Sequence, residues 1–151
     1  MRTNPAITRA VENQEVLRSR IALSWGLRLT KIKGFVNTVL LHPEFDAVVG
    51  YANVRCRSKE YPMLMIDLAT WQGLSRCVRE TNEPCFLIVA FPGADRYLQY
   101  DASLEAQVSI RETGAGPKVA GVAQNPELIV YIPMELFRKI EDKPVCVVGA
   151  P

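Results

Sequence analysis

The sequence contains few of the residues from which common metal and redox sites are built. It has one histidine in 151 residues, and its four cysteines show no Cys-x-x-Cys spacing. A zinc site usually takes four Cys or His ligands at short, regular spacings, so we expect no zinc site here. Cys56, Cys77 and Cys85 lie in apolar segments, which is typical of small core residues in a reducing compartment.

Long hydrophobic runs and a strong charge of either sign are also absent. No apolar run approaches the roughly 18 residues of a membrane span. The first residues are polar, unlike a secretory signal. We therefore expect a cytoplasmic protein with no membrane partner. The formal net charge of +2 does not by itself indicate a nucleic-acid binder.

The length and composition indicate one folded domain. The chain has 151 residues, of which 48% are hydrophobic, enough for a substantial core. We expect residues 1–151 to form a single domain. The span 112–126 is rich in Gly, Ala and Pro and is predicted to be a flexible loop, which is long for a compact domain.

Two helices have clear start and stop signals. The apolar spacing of residues 5–25 predicts a first helix that Gly26 ends. Residues 68–81 form a second apolar stripe, with Asp67 as its N-cap and Asn82 and Pro84 after its end. A shorter helix is predicted at 134–140, entered through Pro133.

Short apolar runs predict a set of strands around these helices. Strands are predicted at 27–31, 35–41, 85–91, 96–100, 106–110 and 128–132, with a last edge strand at 145–149. The continuously apolar segment 85–91 is expected to be buried on both faces. The helix between the strands that contain Tyr51 and Cys85 is a crossover that makes them parallel. This order predicts an α/β sandwich, with a mixed central sheet flanked by helices.

The most informative segment is Phe45–Arg57. It is interpreted as two short strands joined at Gly50-Tyr51, with Asp46 at the start of the first. The second strand places three polar side chains on one face: Asn53, Arg55 and Arg57. One carboxylate and one guanidinium make a poor magnesium cage but a plausible phosphate clamp.

This order of elements resembles the PD-(D/E)XK nuclease superfamily, whose fold is also called restriction-endonuclease-like. The small, mostly phage-encoded members are the most similar. In them, an acidic strand leads to Glu-x-Lys-Cys-Arg, a Tyr-Pro-x-x-Met-Ile segment, a capped helix containing Trp and an apolar strand. The matching positions are Asp46, Asn53-Val54-Arg55-Cys56-Arg57, Tyr61-Pro62-Met63-Leu64-Met65-Ile66, Asp67, Trp71, Cys85–Phe91 and Val130-Tyr131-Ile132-Pro133. The resemblance covers roughly residues 5 to 140.

The resemblance implies a catalytic site of two acids and a lysine. The acids hold Mg²⁺ on the scissile phosphate, and the lysine orients the attacking water. Asp46 matches the first acid, Asn53 stands in place of the second and Arg55 in place of the lysine. The Asn53 carbonyl can ligate a hard cation without charge. Arg55 is permanently protonated, so it can hold a phosphate but cannot act as a base.

Another carboxylate is needed if a metal is to be held. Some relatives draw one from the first helix, where Glu15 or Glu12 is a candidate, and Glu44 is a second source. The predicted metal ligands are therefore Asp46, Asn53 and Glu15, with Mg²⁺ as the cofactor of an active enzyme. We expect no cofactor if hydrolysis has been lost.

Two of the three catalytic positions depart from the superfamily pattern. We therefore predict a divergent, catalytically impaired nuclease-fold protein that binds nucleic acid, DNA in particular, or a protein partner through this face. Arg55, Arg57 and Lys59 are the predicted nucleic-acid contacts. The alternatives are an active Mg²⁺-dependent DNA endo- or exonuclease and a structural or inhibitory phage protein. A phage-encoded chain would act in the host cytoplasm, and exposed edge strands leave a dimer open.

Overall fold

The computed structural model describes residues 5–32, 38–42, 48–112 and 127–148, with side chains from Glu15 onward. Its helices are α1 (Pro5–Trp25), α2 (Leu68–Thr81) and α3 (Val145–Val148). Its strands are β1 (Arg28–Lys31), β2 (Thr38–His42), β3 (Gly50–Cys56), β4 (Met63–Asp67), β5 (Cys85–Phe91), β6 (Ala94–Gln99), β7 (Ser109–Glu112), β8 (Leu128–Pro133) and β9 (Arg138–Lys139). Short 3-10 helices occupy Ala102–Ala106 and Met134–Leu136.

The strands form a mixed six-stranded sheet and a smaller antiparallel one. The large sheet has the order β1-β2-β3-β5-β6-β9, and the small sheet has the order β4-β8-β7. In the large sheet β3 and β5 are parallel, with Tyr51 opposite Cys85 and Cys56 opposite Ala90. The other neighbouring strands of the large sheet are antiparallel. The predicted α/β architecture and the parallel crossover through α2 are both confirmed.

Strand β5 is the centre of two hydrophobic cores. Phe86 and Ile88 face α1, where they pack in one cluster with β2 and β3. Leu87 and Val89 face α2 and the small sheet and pack in the other cluster. All seven residues of β5 are buried, as its continuously apolar sequence predicts. Each fully buried aliphatic side chain contributes about 1.5–3 kcal/mol, so this strand anchors both layers.

The helix boundaries follow from local chemistry. Gly26 has φ +65° and ends α1 in the left-handed conformation that glycine adopts without strain. The Asp67 side chain accepts a hydrogen bond from the Thr70 backbone N–H at 3.1 Å, as expected of an N-cap. Asn82, with φ 55°, closes α2 through its N–H to the carbonyl of Val78. Both predicted helices are confirmed at these boundaries.

The predicted turn at Gly50-Tyr51 is wrong, because both residues begin strand β3. A Cβ on Gly50 would lie 2.8 Å from the backbone oxygen of Pro84. The Tyr51 N–H donates to that same oxygen at 2.9 Å. The glycine therefore serves the close approach of β3 to the start of β5 rather than a turn. The strand predicted to start at Phe45 falls largely on residues 43–47, outside the described residues.

Two predictions near the C-terminus are also wrong. Residues 134–140 form a 3-10 turn followed by the edge strand β9 instead of a helix. Phe137 packs on the α2 side of the sheet, whereas Ile140 packs on the α1 side. A helix would place residues three apart on one face, so this burial requires an extended segment. Residues 145–148 form helix α3 instead of a strand, and the Val147 N–H donates to the Pro144 carbonyl.

The small sheet was not predicted. The sequence signals predict no strand at Met63–Asp67, and β8 pairs with β4 and β7 instead of joining the large sheet. The strand predicted at 106–110 lies at Ser109–Glu112, after a 3-10 helix capped by Asp101. Glu112 is thus a strand residue, and the rest of the predicted loop 112–126 lies outside the described residues. The single histidine, His42, ends strand β2.

Candidate functional site

The polar face of β3 carries a connected network of side chains. The Arg55 Nε donates to Asn53 Oδ1 at 2.9 Å, and its Nη2 donates to Thr70 Oγ1 at 2.8 Å. The same Nη2 lies 3.8 Å from Asp67 Oδ1. Strand alternation puts Asn53 and Arg55 on one face, and the other two groups come from helix α2 and its N-cap residue. Asn53 and Arg55 thus lie on one face of β3 and are in direct contact.

Thr70 links the arginine to the helix cap. Its hydroxyl accepts from Arg55 and donates to Asp67 Oδ1 at 2.7 Å. Burial acts to raise the pKa of Asp67, but the Thr70 hydrogen bonds and the Arg55 charge outweigh it and lower this pKa. Burial lowers the pKa of Arg55, and the Asp67 charge opposes that shift. An arginine in a protein remains protonated, so a fixed cation stands at this position.

A cleft of about 900 Å³ opens at the carboxyl ends of the parallel strands β3 and β5. Its charged lining residues are Arg20, Arg55, Arg57, Asp95 and Glu141. Helix α1 covers one face of the sheet beside the cleft, and α2 covers the other. The carboxyl ends of parallel strands are where open α/β sheets commonly bind ligands.

Arg20 and Asp95 form one wall of this cleft. The Arg20 Nε and Nη2 each donate to a carboxylate oxygen of Asp95 at 2.9 Å, a bidentate pair. The hydrogen bond to Asp95 is the main reason that the pKa of Arg20 is raised. Neither Arg20 nor Asp95 is among the site residues predicted from the sequence. The available signal was the Pro92-Gly93 turn, which places the following residues at the end of β5.

Arg57 joins the cleft to the small sheet. Its Nη1 donates to the Cys56 carbonyl at 3.2 Å, and its Nη2 makes a long contact of 3.5 Å with the Met65 carbonyl on β4. Arg57 also lines a smaller cavity of about 200 Å³, together with the exposed Lys59. Lys59 is thus beside the next cavity, while Arg55 and Arg57 line the large cleft.

The structure does not place the carboxylates predicted to bind a metal next to one another within the described residues. Asp46 and Glu44 lie in 43–47, and the Glu12 side chain belongs to the undescribed part of α1. Glu15 is exposed on α1, which packs against the face of β3 formed by Ala52 and Val54. Asn53 points to the opposite face. The metal-ligand roles of Asp46, Asn53 and Glu15 therefore stay predictions.

The donor set within the described ranges does not fit Mg²⁺. Residues 5–32, 38–42, 48–112 and 127–148 contain no group of three or more His, Cys, Asp or Glu side chains able to hold a metal ion. The Asn53 Oδ1 already accepts a hydrogen bond from Arg55. The guanidinium charge would repel a divalent cation bound at that oxygen. This part of the site suits an anion instead.

The two tryptophans and three of the cysteines make structural contacts. Trp25 and Trp71 are buried, and their indole N–H groups donate to the Ile140 carbonyl and to the Glu105 carboxylate. Cys85 is buried, while Cys56 and Cys77 are partly buried and pack against the cores. None of the helices in the described part of the chain is long and apolar enough to cross a bilayer.

Comparison with known proteins supports the architecture. No family model matches the sequence, and no curated protein matches it. Among solved structures, the chain is similar to Hjc, a Holliday junction resolvase from the archaeal hyperthermophile Archaeoglobus fulgidus. The match has a TM-score of 0.51 and 9% identity, and it covers 89% of this chain and 99% of that chain. At this identity the likeness concerns the fold alone, and it confirms the predicted restriction-endonuclease-like architecture.

Proposed function

We propose that this nuclease-fold protein binds nucleic acid, DNA in the first instance, through the arginine-rich cleft, and that its phosphodiester hydrolysis is impaired. The observation that supports this most is the hydrogen bond from Arg55 to Asn53 at 2.9 Å. In the superfamily that the sequence resembles, an acid and a lysine occupy these two positions. The pair present here keeps a fixed positive charge and contains no general base at neutral pH.

The donors left in the cleft favour a phosphate ligand. Arg55 uses Nε and Nη2 for its contacts with described residues, so Nη1 is the donor that it could offer to a ligand oxygen. Arg57 donates to carbonyl oxygens, which are neutral, so its full charge remains available. Guanidinium groups bind phosphate bidentately and provide the salt-dependent part of nucleic-acid affinity. Arg20 contributes less, because Asp95 neutralises it.

The expected loss of hydrolysis has an electrostatic reason. An amide in place of a carboxylate removes one negative charge from a magnesium site, and a neighbouring guanidinium adds a positive one. A divalent ion would therefore be held weakly next to Arg55 even if Asp46 supplied one ligand. Removal of a catalytic group commonly lowers kcat by several orders of magnitude.

Binding is tested by fluorescence anisotropy with labelled DNA over a series of salt concentrations. We expect affinity that falls with salt, and Arg55→Ala and Arg57→Ala should each weaken it and reduce the salt slope by about one. Arg79→Ala, on an exposed position in the last turn of α2, is the matched control and should bind like the wild type. Binding that is insensitive to salt and to both cleft variants would contradict the proposal.

Hydrolysis is tested with linear and circular DNA in the presence of Mg²⁺ or Mn²⁺. We expect no metal-dependent cutting by the wild type. Cutting that Asp46→Ala abolishes would instead establish an active metal-dependent nuclease. If the chain neither cuts nor binds nucleic acid, the cleft serves a protein partner or a structural or inhibitory role in a phage.

A further inference from the structure

The small sheet buries one face and presents the other outward. Val130 and Ile132 on β8 are fully buried, so the alternate residue Tyr131 points away from the core. Tyr131 pairs with Met65 of β4, whose side chain is 51% exposed. We call this surface the outer face of the small sheet. The register of the three strands gives it eight residues: Met63, Met65, Asp67, Ser109, Arg111, Ile129, Tyr131 and Pro133.

Arg111 stacks on the aromatic ring at the centre of the outer face. Its guanidinium carbon lies 5.1 Å from the centroid of the Tyr131 ring, a cation–π geometry. Arg111 is exposed, and within the described residues it has no ion-pair partner, so its charge is available to a ligand. A planar cation beside an aromatic ring offers both a stacking surface for a base and a donor for its phosphate.

The outer face is continuous with the arginine-rich cleft. Arg57 lines the cleft and also contacts the Met65 carbonyl on the edge strand β4. The loop after Arg57 adds Lys59 and the 61% exposed Tyr61, and both line the small cavity that Met65 shares. Basic and aromatic side chains therefore both lie between the cleft and Tyr131. Surfaces that bind single strands combine these two kinds of side chain.

We infer that the outer face binds the unpaired bases of a single strand, with Tyr131 as the stacking residue. A duplex keeps the faces of its bases stacked inside the helix, so an aromatic ring on a sheet can reach only splayed bases. The phosphates of the same strand continue into the cleft at Arg57 and Arg55. The inference rests on the proposed function and specifies its ligand: a single-stranded segment of DNA or RNA.

The first test compares three labelled ligands of equal length: an oligothymidylate, an oligouridylate and a DNA duplex. Tyr131→Ala should weaken binding of single strands roughly 5- to 100-fold and leave duplex binding unchanged. Tyr131→Phe keeps the ring and should bind like the wild type. Equal affinity of wild type and Tyr131→Ala for single strands, or equal losses for single strand and duplex, would overturn the inference.

The second test does not depend on how well a variant folds. Wild-type protein is irradiated with an oligonucleotide that contains 5-iododeoxyuridine, and the cross-linked peptides are identified by mass spectrometry. We expect cross-links to the peptide that contains Tyr131. Cross-links confined to peptides of the cleft would contradict base stacking on Tyr131 and would still agree with the proposed function. Absence of any salt-sensitive binding would overturn both, so the two failures are distinguishable.

Discussion

Arg55 and Asp67 face each other where strand β3 meets the start of helix α2, and Thr70 is hydrogen-bonded to both. The residue that caps the helix thereby also orients the cation in the cleft. The side chain of Arg55 is held in place by groups that the helix needs for its own start. Helix stability and ligand binding are therefore coupled at this junction. Substitution of Asp67 measures that coupling.

Asp67→Ala should destabilise the protein by about 0.5–2 kcal/mol, because the N-cap of α2 is lost. Asp67→Asn keeps a capping oxygen and should cost less, although it removes the charge that faces Arg55. Urea denaturation of the two variants beside the wild type measures the difference. Equal stability of wild type and Asp67→Ala would show that the N-cap does not contribute to the stability of the protein.

The stability contributed by the Asp67 carboxylate should depend on pH in a defined direction. Its pKa is lowered in the folded state, so folding favours the ionised form. The contribution is fully present above the unfolded pKa of about 4 and is lost as the pH falls through the lower folded value. The stability difference between wild type and Asp67→Asn should narrow on acidification, as followed by thermal melts at several pH values. A difference that stays constant across that range would contradict the assigned shift.

Gly50→Ala should destabilise the protein by about 1–3 kcal/mol, since a methyl group at this position meets the Pro84 carbonyl at 2.8 Å. Gly73→Ala is the matched control within α2, where an added Cβ meets nothing within 4 Å. There we expect a gain of up to about 1 kcal/mol from the better helix propensity of alanine. Denaturation midpoints report both values, and the prediction fails if the two substitutions have the same sign.

Asp95→Asn should strengthen nucleic-acid binding, because it releases the charge of Arg20 from its bidentate partner. The salt slope should steepen by about one unit if Arg20 then contacts a phosphate. Loss of the pair should cost little stability, less than about 1 kcal/mol, since the Arg20 side chain is half exposed. Anisotropy titrations at two salt concentrations check the affinity, and weaker binding by Asp95→Asn would exclude Arg20 from the interface.

The sequence predicted best those elements whose signals are local. Helix α2 has an N-cap at Asp67 and a left-handed stop at Asn82, and β5 is apolar throughout, so each was located correctly. Strand β9 and helix α3 are only two and four residues long. Their conformations are set by the surfaces they pack on, which a pattern search along the chain does not detect.

The candidate site was predicted in part for the same reason. Strand periodicity alone brought Asn53 and Arg55 together. The Arg20–Asp95 wall joins residues 75 positions apart, and the position of Tyr131 depends on a sheet that was not predicted. Long-range pairing of this kind is decided by tertiary packing. The part of the site that includes Asp46 remains a prediction.

The hydrogen bond from Trp25 to Ile140 spans 115 positions of the chain. Because synthesis runs from the amino end, helix α1 leaves the ribosome long before the carbonyl that accepts this hydrogen bond. The apolar side of α1 therefore lacks its complete cover while the intervening residues are translated. Chaperone engagement during translation should be concentrated on this helix and end when residue 140 leaves the exit tunnel.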